Sequence, residues 1–217
     1  MNKVYVFLGP PASGKGTQAK LLSEKLGISH IALGDILREA VRAGTPEGLK
    51  AKSFMEAGKL VPDDLTISLA SERFGKGDCK KGFIVDGYPR TLRQAKTFDE
   101  RLHSLGLELG AVIYIKIPVG VAVSRLSGRR SCRKCGAPYH LTFNPPRAEG
   151  ICDGCGGELY QRHDDEEEVI KTRFSVYEKE TLPLIKQFKS SRKLVEVNGE
   201  APVEEVQSKI FSALGLS

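Results

Sequence analysis

The sequence predicts an α/β fold in which a parallel sheet is covered by helices on both faces. Short, continuous apolar runs, typical of strands buried on both faces, alternate with segments of helical period. A strand–helix–strand order at this spacing favours parallel pairing, with the helices as connections. The apolar runs cover residues 4–8, 83–85 and 112–115, with a weaker run over residues 194–197.

The helices of this core follow from the spacing of apolar residues. A helix comes directly after the first strand and places Ala19, Leu22 and Leu26 on one face. Further helical patterns span residues 91–105 and 202–214. These segments are long enough to connect parallel strands across the faces of the sheet.

Two segments interrupt the alternation of strands and helices. Residues 33–62, the helical insert, are helical in pattern and are punctuated by glycines. Residues 129–162, the cysteine insert, are rich in Cys, Gly and Pro without a helical period, which predicts short strands and turns. The rest of the chain forms the predicted core: residues 1–32, 63–128 and 163–217.

A run of acidic residues, 164–168, follows the cysteine insert. Acidic side chains are favourable at the N-terminus of a helix, so we interpret the run as a capped and solvated helix start. Ile170, Phe174 and Tyr177 then give this helix an apolar face. Pro183 should kink or end it.

The composition indicates one globular unit and an anionic partner. With 217 residues, 40% hydrophobic and 28% charged, the chain can form a full apolar core. No apolar run approaches the roughly 20 residues of a membrane span, and residues 4–8 are too short for a signal-peptide core, so we expect a cytoplasmic protein. The net charge of +6 suits nucleic acid, a membrane surface or a phosphorylated small molecule, and composition does not choose among them.

A glycine-rich loop, residues 9–17, lies between the first strand and the first helix. Its sequence, Gly-Pro-Pro-Ala-Ser-Gly-Lys-Gly-Thr, contains the G-x-x-x-x-G-K pattern in the structural context that a phosphate-binding loop requires. Its glycines let backbone N–H groups converge on phosphate oxygens, and Lys15 adds a full charge. Gly16 stands where a magnesium-binding Ser or Thr is usual, and Thr17 comes one residue later.

Asp86 directly follows the apolar run 83–85 and resembles a Walker B carboxylate. It would orient magnesium-bound water, because Mg²⁺ keeps several waters and is held largely by phosphates. The alternative is a carboxylate that caps the next turn.

Four of the five cysteines have the spacing of a structural zinc site. Cys132, Cys135, Cys152 and Cys155 form the pattern Cys-x2-Cys-x16-Cys-x2-Cys. This pattern predicts four thiolates in a closed tetrahedral site that stabilises the insert and takes no part in catalysis. Cys79 is interpreted as an ordinary thiol.

Several motifs together resemble one enzyme family. The loop over residues 9–17 is similar to that of nucleoside monophosphate kinases, above all adenylate kinases. Further matching blocks occur in family order, and the resemblance covers nearly the whole chain. They span residues 33–38, 58–61, 86–91, 128–130 and 162–165, and close with Arg173.

This resemblance implies reversible, magnesium-dependent phosphoryl transfer from ATP to AMP, giving two ADP. The helical insert resembles the monophosphate-binding arm, and the cysteine insert resembles the zinc-bearing lid of long-form bacterial adenylate kinases. Both are expected to close over the nucleotides, because a site that excludes water prevents hydrolysis. The expected partners are ATP, AMP and ADP, not nucleic acid or membrane, and the expected state is a monomer.

The resemblance also assigns roles to residues. Always-charged guanidinium groups suit phosphoryl transfer, which depends on positioning and charge neutralisation. The predicted transfer residues are Lys15, Arg90, Arg125, Arg129, Arg162 and Arg173. The predicted ATP-binding residues are Ala12, Ser13, Gly14, Lys15, Gly16, Thr17, Arg125, Arg129, Tyr139, His140 and Phe143. The predicted AMP-binding residues are Leu33, Arg38, Lys59, Leu60, Val61, Gly87, Tyr88, Pro89, Arg90, Gln94, Arg162 and Arg173.

Two alternatives stay open at this point. One is a kinase for UMP or CMP, because Leu33 replaces the usual Thr and Ala12 replaces the usual Gly of the adenylate kinase pattern. If position 12 needs a positive φ, alanine adds strain or changes the loop. The other is a zinc-ribbon ATPase that binds nucleic acid, although the basic residues lie in phosphate-site motifs and no aromatic RNA-binding motif is present.

Overall fold

A five-stranded parallel sheet forms the centre of the computed structural model, which describes residues 2–216. In chain order its strands are β1 (Lys3–Leu8), β2 (Ser29–Ala32), β3 (Phe83–Asp86), β4 (Glu108–Lys116) and β8 (Leu194–Asn198). Their spatial order is β2-β3-β1-β4-β8, and every pair is parallel. The predicted α/β class and four predicted strands are therefore confirmed.

The edge strand β2 is absent from the sequence prediction. Of its four residues only Ile31 is buried, so it carries no continuous apolar run. It forms because its backbone extends the sheet, with Ser29 opposite Phe83 and Ala32 opposite Asp86.

Seven helices pack on this sheet or continue from it. They are α1 (Lys15–Leu26), α4 (Asp63–Phe74), α5 (Leu92–Ser104), α6 (Val119–Ser127), α7 (Glu167–Val176), α8 (Leu182–Ser190) and α9 (Val203–Ala213). The predicted helix over residues 91–105 is confirmed as α5, which begins after an N-cap in which Thr91 Oγ1 accepts from Gln94 N. Among residues 2–216, none of the helices has the length and apolar character that a membrane span requires.

Each face of the sheet has its own apolar core. On one face Val6, Val85 and Val112 lie with residues of α4, α5 and α8. On the other face Phe7 and Ile113 lie with residues of α1 and α9. Successive residues of the buried strands thus alternate between two helical layers, as the continuous apolar runs predict.

The helical insert is helical, as predicted, and contains α2 (Leu33–Ala43) and α3 (Pro46–Glu56). Thr45 caps α3 by accepting a hydrogen bond from Gly48 N at 3.0 Å. A Cβ at Gly48 would collide with the carbonyl of Ala40 in α2. Glycine is therefore required at this position for the two helices to approach so closely.

The cysteine insert forms a small antiparallel sheet, as the pattern of short strands and turns predicts. Its strands are β5 (Arg129–Cys132), β6 (Pro138–His140) and β7 (Leu159–Tyr160), in the order β6-β5-β7. Strand β5 leaves the end of α6, and β7 leads back toward α7.

The chain around Pro183 stays helical, although α7 itself ends at Val176. A π-helical stretch, Tyr177–Thr181, follows, and α8 then resumes with Pro183 in its first turn. Leu182 N–H still donates to Tyr177 O of the π-helical stretch, and Pro183, which has no N–H, comes directly after it. The predicted interruption therefore lies upstream of the proline, and the helical path resumes through it.

Candidate active site

The candidate site lies at the carboxyl edge of the sheet, where the chain order of the strands reverses direction. Strand β1 lies between β3 and β4, so loops that leave the carboxyl ends of these strands diverge around a crevice. Such switch points are where open α/β sheets bind ligands. Phe7 near the end of β1 is in register with Asp86 at the end of β3, so residues 9–17 and Asp86 lie at one edge.

The glycine-rich loop has the backbone geometry of an anion-binding turn. Gly9 and Gly14 have φ values of 148° and 92°, and Gly14 is the N-cap of α1. Ala12 also has a positive φ, 57°, so the position does need the left-handed conformation. A non-glycine residue in that conformation costs about 1–2 kcal/mol, and the expectation of added strain at Ala12 is confirmed.

Lys15 is folded back over this loop. Its Nζ donates to the carbonyl oxygens of Pro10 and Gly9 at 2.7 and 3.0 Å, and it lies 3.4 Å from Ser13 Oγ. Burial lowers the pKa of Lys15 to about 8, and Asp86 opposes that shift. The ammonium group is therefore held at the loop by dipoles that an anion could replace.

Asp86 lies directly beside the start of α1. A Cβ at Gly16 would lie 3.2 Å from Asp86 Oδ2, so the helix approaches the carboxylate closely because residue 16 is glycine. A carboxylate beside the phosphate loop is suitably placed to hold water around a magnesium ion.

Four predicted arginines are gathered near the loop, two with carboxylate partners and two with neutral partners. Arg38 donates to Asp35 Oδ1 at 2.6 Å, and Arg90 Nε donates to the carbonyl of Gly87 at 2.8 Å. Arg162 Nε donates to Ser131 Oγ at 2.7 Å. Arg173 lies against two consecutive carboxylates, those of residues 164 and 165, at 2.9 and 3.2 Å.

Asp165 is the anchor of this cluster. It is only 1% exposed, and both of its carboxylate oxygens accept from Arg129. The interpretation of residues 164–168 as a solvated helix start is thus wrong for Asp164 and Asp165, which belong to a preceding 3-10 turn. Burial requires that such a carboxylate be paired, and the nearby arginines satisfy it.

The electrostatics of the cluster are dominated by positive charge. Burial lowers the pKa of Arg162 and of Arg173 to about 10, and neighbouring guanidinium groups add to both shifts. Burial also lowers the pKa of Arg90. Burial alone would raise the pKa of Asp164, but the arginines around it, Arg173 foremost, hold it below its usual range. An anionic ligand would relieve this repulsion.

Gln94 is buried and has both ends of its amide engaged. Its Oε1 accepts from Arg90 N at 2.8 Å, and its Nε2 donates to Asp63 Oδ1 at 2.7 Å. Thr91 Oγ1 donates to the other oxygen of Asp63 at 2.9 Å. Asp63, the first residue of α4, therefore fixes the orientation of the Gln94 amide. Asp63 was not among the residues predicted from the sequence.

The remaining predicted AMP-binding residues differ in how far they are buried. Leu33 and Val61 have buried side chains, Leu33 in the main core and Val61 in a small core of the helical insert. Tyr88 is buried with its ring edge-on to Phe98 at 5.7 Å. Lys59 is exposed and Leu60 is partly exposed. Gly87 and Pro89 flank Tyr88 in the loop after β3, where Gly87 has a φ of 76°.

Three of the predicted ATP-binding residues lie in the cysteine insert. His140 Nδ1 accepts from the backbone N–H groups of Thr142 and Phe143 at 3.0 and 3.1 Å, so this ring shapes a turn. Burial lowers the pKa of His140, and Arg125 of α6 lies close enough to affect it. The Phe143 ring lies tilted against the His140 ring, with the centroids 4.4 Å apart, and Phe143 is 68% exposed. Tyr139 lies in β6 and faces the cysteines.

The four predicted metal ligands are brought together. The sulfurs of Cys132, Cys135, Cys152 and Cys155 all lie within 4.8 Å of one another. Two of the S···S distances are 3.5 and 3.6 Å, close to the edge of about 3.8 Å in a tetrahedral site with Zn–S bonds of 2.3 Å. Cys79 is buried in the main core beside Arg73, away from this cluster.

A cavity of about 550 Å³ lies beside the glycine-rich loop, and the sequence did not predict it. It is lined by residues at and just after the carboxyl ends of β4 and β8, including Lys116, Pro118 and Asn198. A Cβ at Gly199 would lie 3.0 Å from Ser13 O, so the wall of the cavity next to Asn198 lies directly against the glycine-rich loop. The only available signal was a group of polar residues after the weak apolar run 194–197.

Comparisons with known proteins agree on one family. The family model described as adenylate kinase matches residues 7–193. An adenylate kinase of Methanocella arvoryzae is 51% identical over 210 residues, which is 97% of each chain. One from Archaeoglobus fulgidus is 50% identical over 209 residues, 96% of each chain. One from Carboxydothermus hydrogenoformans is 47% identical over 209 residues, 96% of this chain and 98% of its own.

Proposed function

The chain belongs to the adenylate kinase family, and from that premise we propose how its residues carry out phosphoryl transfer from ATP to AMP. The reaction gives two ADP and is reversible. The observation that carries the assignment of residues is the gathering of Lys15 and several half-buried arginines around the phosphate loop. Reaction between two anions requires such a neutralising environment.

On the donor side, the loop over residues 9–17 binds the phosphates of ATP. The N–H groups at the start of α1 face the anion, and Lys15 exchanges the carbonyls of Gly9 and Pro10 for phosphate oxygens. The cavity after β4 and β8 adjoins this loop and accommodates the base, together with Tyr139, His140 and Phe143 from the cysteine insert.

Magnesium is implied by the family, and the residues present fit it. Asp86 would hold the ion through water. Thr17 supplies a hydroxyl one residue after Gly16, the position where a magnesium-binding Ser or Thr is usual. When bound, the ion neutralises and orients the phosphates of ATP. The close approach of Gly16 to Asp86 keeps the carboxylate next to the phosphate loop.

On the acceptor side, Arg38 and Arg90 bind the phosphate of AMP. Each guanidinium is currently held by a single short hydrogen bond, to Asp35 and to Gly87 O respectively, and keeps other donors for phosphate. Gln94 reads the adenine edge with the second N–H and the second oxygen lone pair of its amide, because Asp63 and Arg90 N engage only one of each. Leu33, Leu60 and Val61 provide apolar contact near the base.

Transfer itself depends on the arginines between the two nucleotides. Arg125, Arg129, Arg162 and Arg173 stabilise the charge on the transferred group. Arg129 and Arg162 stand at the two ends of the cysteine insert, so closure of that insert brings both to the site. No base is required, because the attacking group is an ionised phosphate.

The cysteine insert holds a structural zinc ion through its four thiolates. All four positions of a tetrahedral site are filled by sulfur, so this metal binds no substrate. We assign residues 33–62 as the monophosphate-binding arm, residues 129–162 as the lid, and residues 1–32, 63–128 and 163–217 as the core. We further predict a cytoplasmic monomer whose partners are nucleotides, not nucleic acid or membrane.

The test of acceptor identity is a parallel assay with Mg-ATP and AMP, UMP, CMP or GMP. AMP should be phosphorylated fastest. Equal or greater turnover of UMP or CMP would contradict the assignment of adenine to the acceptor pocket. ATP hydrolysis that is stimulated by nucleic acid without any monophosphate would instead favour the zinc-ribbon ATPase. Because Leu33 and Ala12 depart from the family pattern, we expect weaker acceptor affinity or broader selectivity with the reaction retained.

A matched pair of variants tests the residue assignment. Arg90→Ala should lower kcat/KM for AMP by on the order of 100-fold or more, because it removes a charge aimed at the acceptor phosphate. Arg93→Ala is the control: Arg93 lies in the first turn of α5 and pairs with the exposed Asp64 at the surface. A surface pair of this kind contributes at most about 1 kcal/mol. Equal losses in the two variants would contradict a specific role for Arg90.

A further inference from the structure

The hydroxyl of Tyr139 lies between a cysteine sulfur and a backbone amide. Its oxygen is 3.4 Å from Cys152 Sγ and 2.8 Å from Asp153 N. Tyr139 lies in β6, opposite Arg130 of β5, and its ring packs in the small cluster that contains Cys132 and Cys152. A tyrosine on one strand therefore reaches the second pair of cysteines.

The two contacts determine which group donates to the sulfur. The N–H of Asp153 can only donate, so the phenol oxygen accepts it. The single hydroxyl hydrogen of Tyr139 then remains available, and the sulfur is its other polar neighbour. A metal-bound thiolate carries no hydrogen and can only accept.

We propose that Tyr139 is a positioning residue of the zinc site, with its hydroxyl donating to the Cys152 thiolate while it accepts from Asp153 N. This inference rests on the proposed zinc site and adds to it a residue outside the four ligands. Hydrogen bonds to metal ligands orient them and adjust their basicity.

Cys152 has the Tyr139 hydroxyl in addition to backbone N–H groups, those of Gly154 and Cys155, whereas only backbone N–H groups and another cysteine face Cys132. Cys132 lies at the end of β5 and its sulfur faces the N–H groups of Lys134 and Cys135 at 3.4 and 3.5 Å. Cys152 lies outside the three strands, in the connection between β6 and β7. Tyr139 ties this connection to β6 and so links the two halves of the site.

The test is zinc affinity measured on Tyr139→Phe, which keeps the ring and removes only the hydroxyl. Zinc-loaded protein is titrated with the chromogenic chelator 4-(2-pyridylazo)resorcinol, and both zinc affinity and release rate are followed. Loss of such a partner of a metal ligand costs about 10- to 100-fold in metal affinity, and we expect a loss in that range. Cobalt-loaded protein adds a spectroscopic readout, because the thiolate-to-cobalt absorption band should shift when the O–H···S bond is removed.

Tyr160→Phe is the matched control. Tyr160 lies in β7 of the same small sheet, and its ring packs under the Arg133 guanidinium at 4.4 Å instead of facing a sulfur. This variant should keep the zinc affinity and the cobalt spectrum of the parent chain. Circular dichroism of the zinc-loaded proteins verifies that both variants fold.

The outcomes separate this inference from the zinc site itself. If the parent chain fails to retain one zinc per chain, both the site and the role of Tyr139 are overturned. If the parent retains zinc but Tyr139→Phe binds it within twofold of the parent with an unshifted cobalt band, only the role of Tyr139 is wrong. Equal losses in Tyr139→Phe and Tyr160→Phe would assign the effect to general packing and would also overturn it.

Discussion

The helical insert and the cysteine insert are both excursions from the same sheet, but they are stabilised by different means. The helical insert has an apolar core of its own, in which Leu37, Ala51 and Val61 are buried. In the cysteine insert the buried cluster consists mainly of cysteines with Leu159, and large apolar side chains such as Phe143 stay exposed. One insert is stabilised by apolar packing, and we propose that the other depends on a metal held by its four cysteines.

This difference follows from what each segment can bury. Two helices that touch through Gly48 enclose apolar side chains, and Leu65 and Leu69 of α4 extend that cluster into the core. Three strands of two to four residues enclose almost nothing, and segments this small need a metal or a disulfide. The two inserts should therefore respond to different perturbations.

The largest effect should come from removing zinc. Chelation under reducing conditions should unfold the cysteine insert, because structural zinc contributes on the order of 10 kcal/mol to folding. Hydrogen exchange should report it: the amides of Cys132 and Arg133, which donate to Ala137 O and Glu158 O, should lose protection. Amides of residues 33–62 should keep theirs.

The control for this experiment is Cys79→Ser, which alters the thiol outside the metal cluster and should leave zinc content unchanged. Persistent protection of residues 129–162 after chelation would mean that the insert is stable without metal, and the contrast between the inserts would not hold.

The reverse test is a cavity in the helical insert. Leu37→Ala should destabilise this insert by about 2–5 kcal/mol, because Leu37 is buried in its core. The KM for AMP should rise, since Arg38 is the next residue along α2, while zinc affinity should not change. Leu49→Ala is the control, because Leu49 is 62% exposed on α3. A parallel rise in the KM for ATP would show that the two inserts are not independent.

A third test concerns the glycine-rich loop, which belongs to neither insert. Lys15→Met should stabilise the nucleotide-free protein by roughly 1–3 kcal/mol near pH 7, because it removes a charge that burial disfavours. The folded pKa of Lys15, about 8, is below the unfolded value of 10.5, so the cost is present below pH 8 and is relieved between pH 8 and 10.5. Parent stability should rise over that window relative to the variant, measured by urea unfolding, and activity should be lost.

A parent and a Lys15→Met variant with parallel pH profiles would contradict this account. Lys15→Arg is the matched control, since it keeps the charge at this position and should not gain stability at pH 7. If Lys15→Met gains stability and Lys15→Arg does not, the loss of stability that accompanies function is assigned to the phosphate loop and not to either insert.

The smallest effect should come from the N-cap of α3. Thr45→Ala should destabilise the helical insert by about 1 kcal/mol, because Thr45 Oγ1 accepts from Gly48 N. Thr45→Ser keeps the acceptor and should preserve most of the stability. Hydrogen exchange of α3 measures the difference, and a change in zinc affinity would be the unexpected result.

The sequence predicted those elements whose signal is local. Strand β1, the loop after it and the four clustered cysteines all lie in short contiguous patterns. Strand β2 was missed because its one buried residue, Ile31, gives no pattern, and only its pairing with β3 defines it.

Pairings between distant residues were beyond the same reasoning. Gln94 was singled out, but its partner Asp63 is far away in the chain and is brought near only by the packing of α4 on α5. Arg129 was also singled out, whereas its partner Asp165 was interpreted as a helix start. Buried charges select partners through the whole fold, and no local pattern marks them in advance.

The path of the chain through the cysteine insert bears on how such proteins can be rebuilt. Strand β5, which begins the insert, pairs directly with β7, which ends it, with Ser131 opposite Tyr160 and Cys132 opposite Leu159. The entry and exit points are therefore neighbours, a geometry that tolerates domain insertion. The insert can therefore be replaced as a unit. A metal-free segment grafted between α6 and α7 would leave the path of the core chain unchanged and would remove the proposed requirement for zinc.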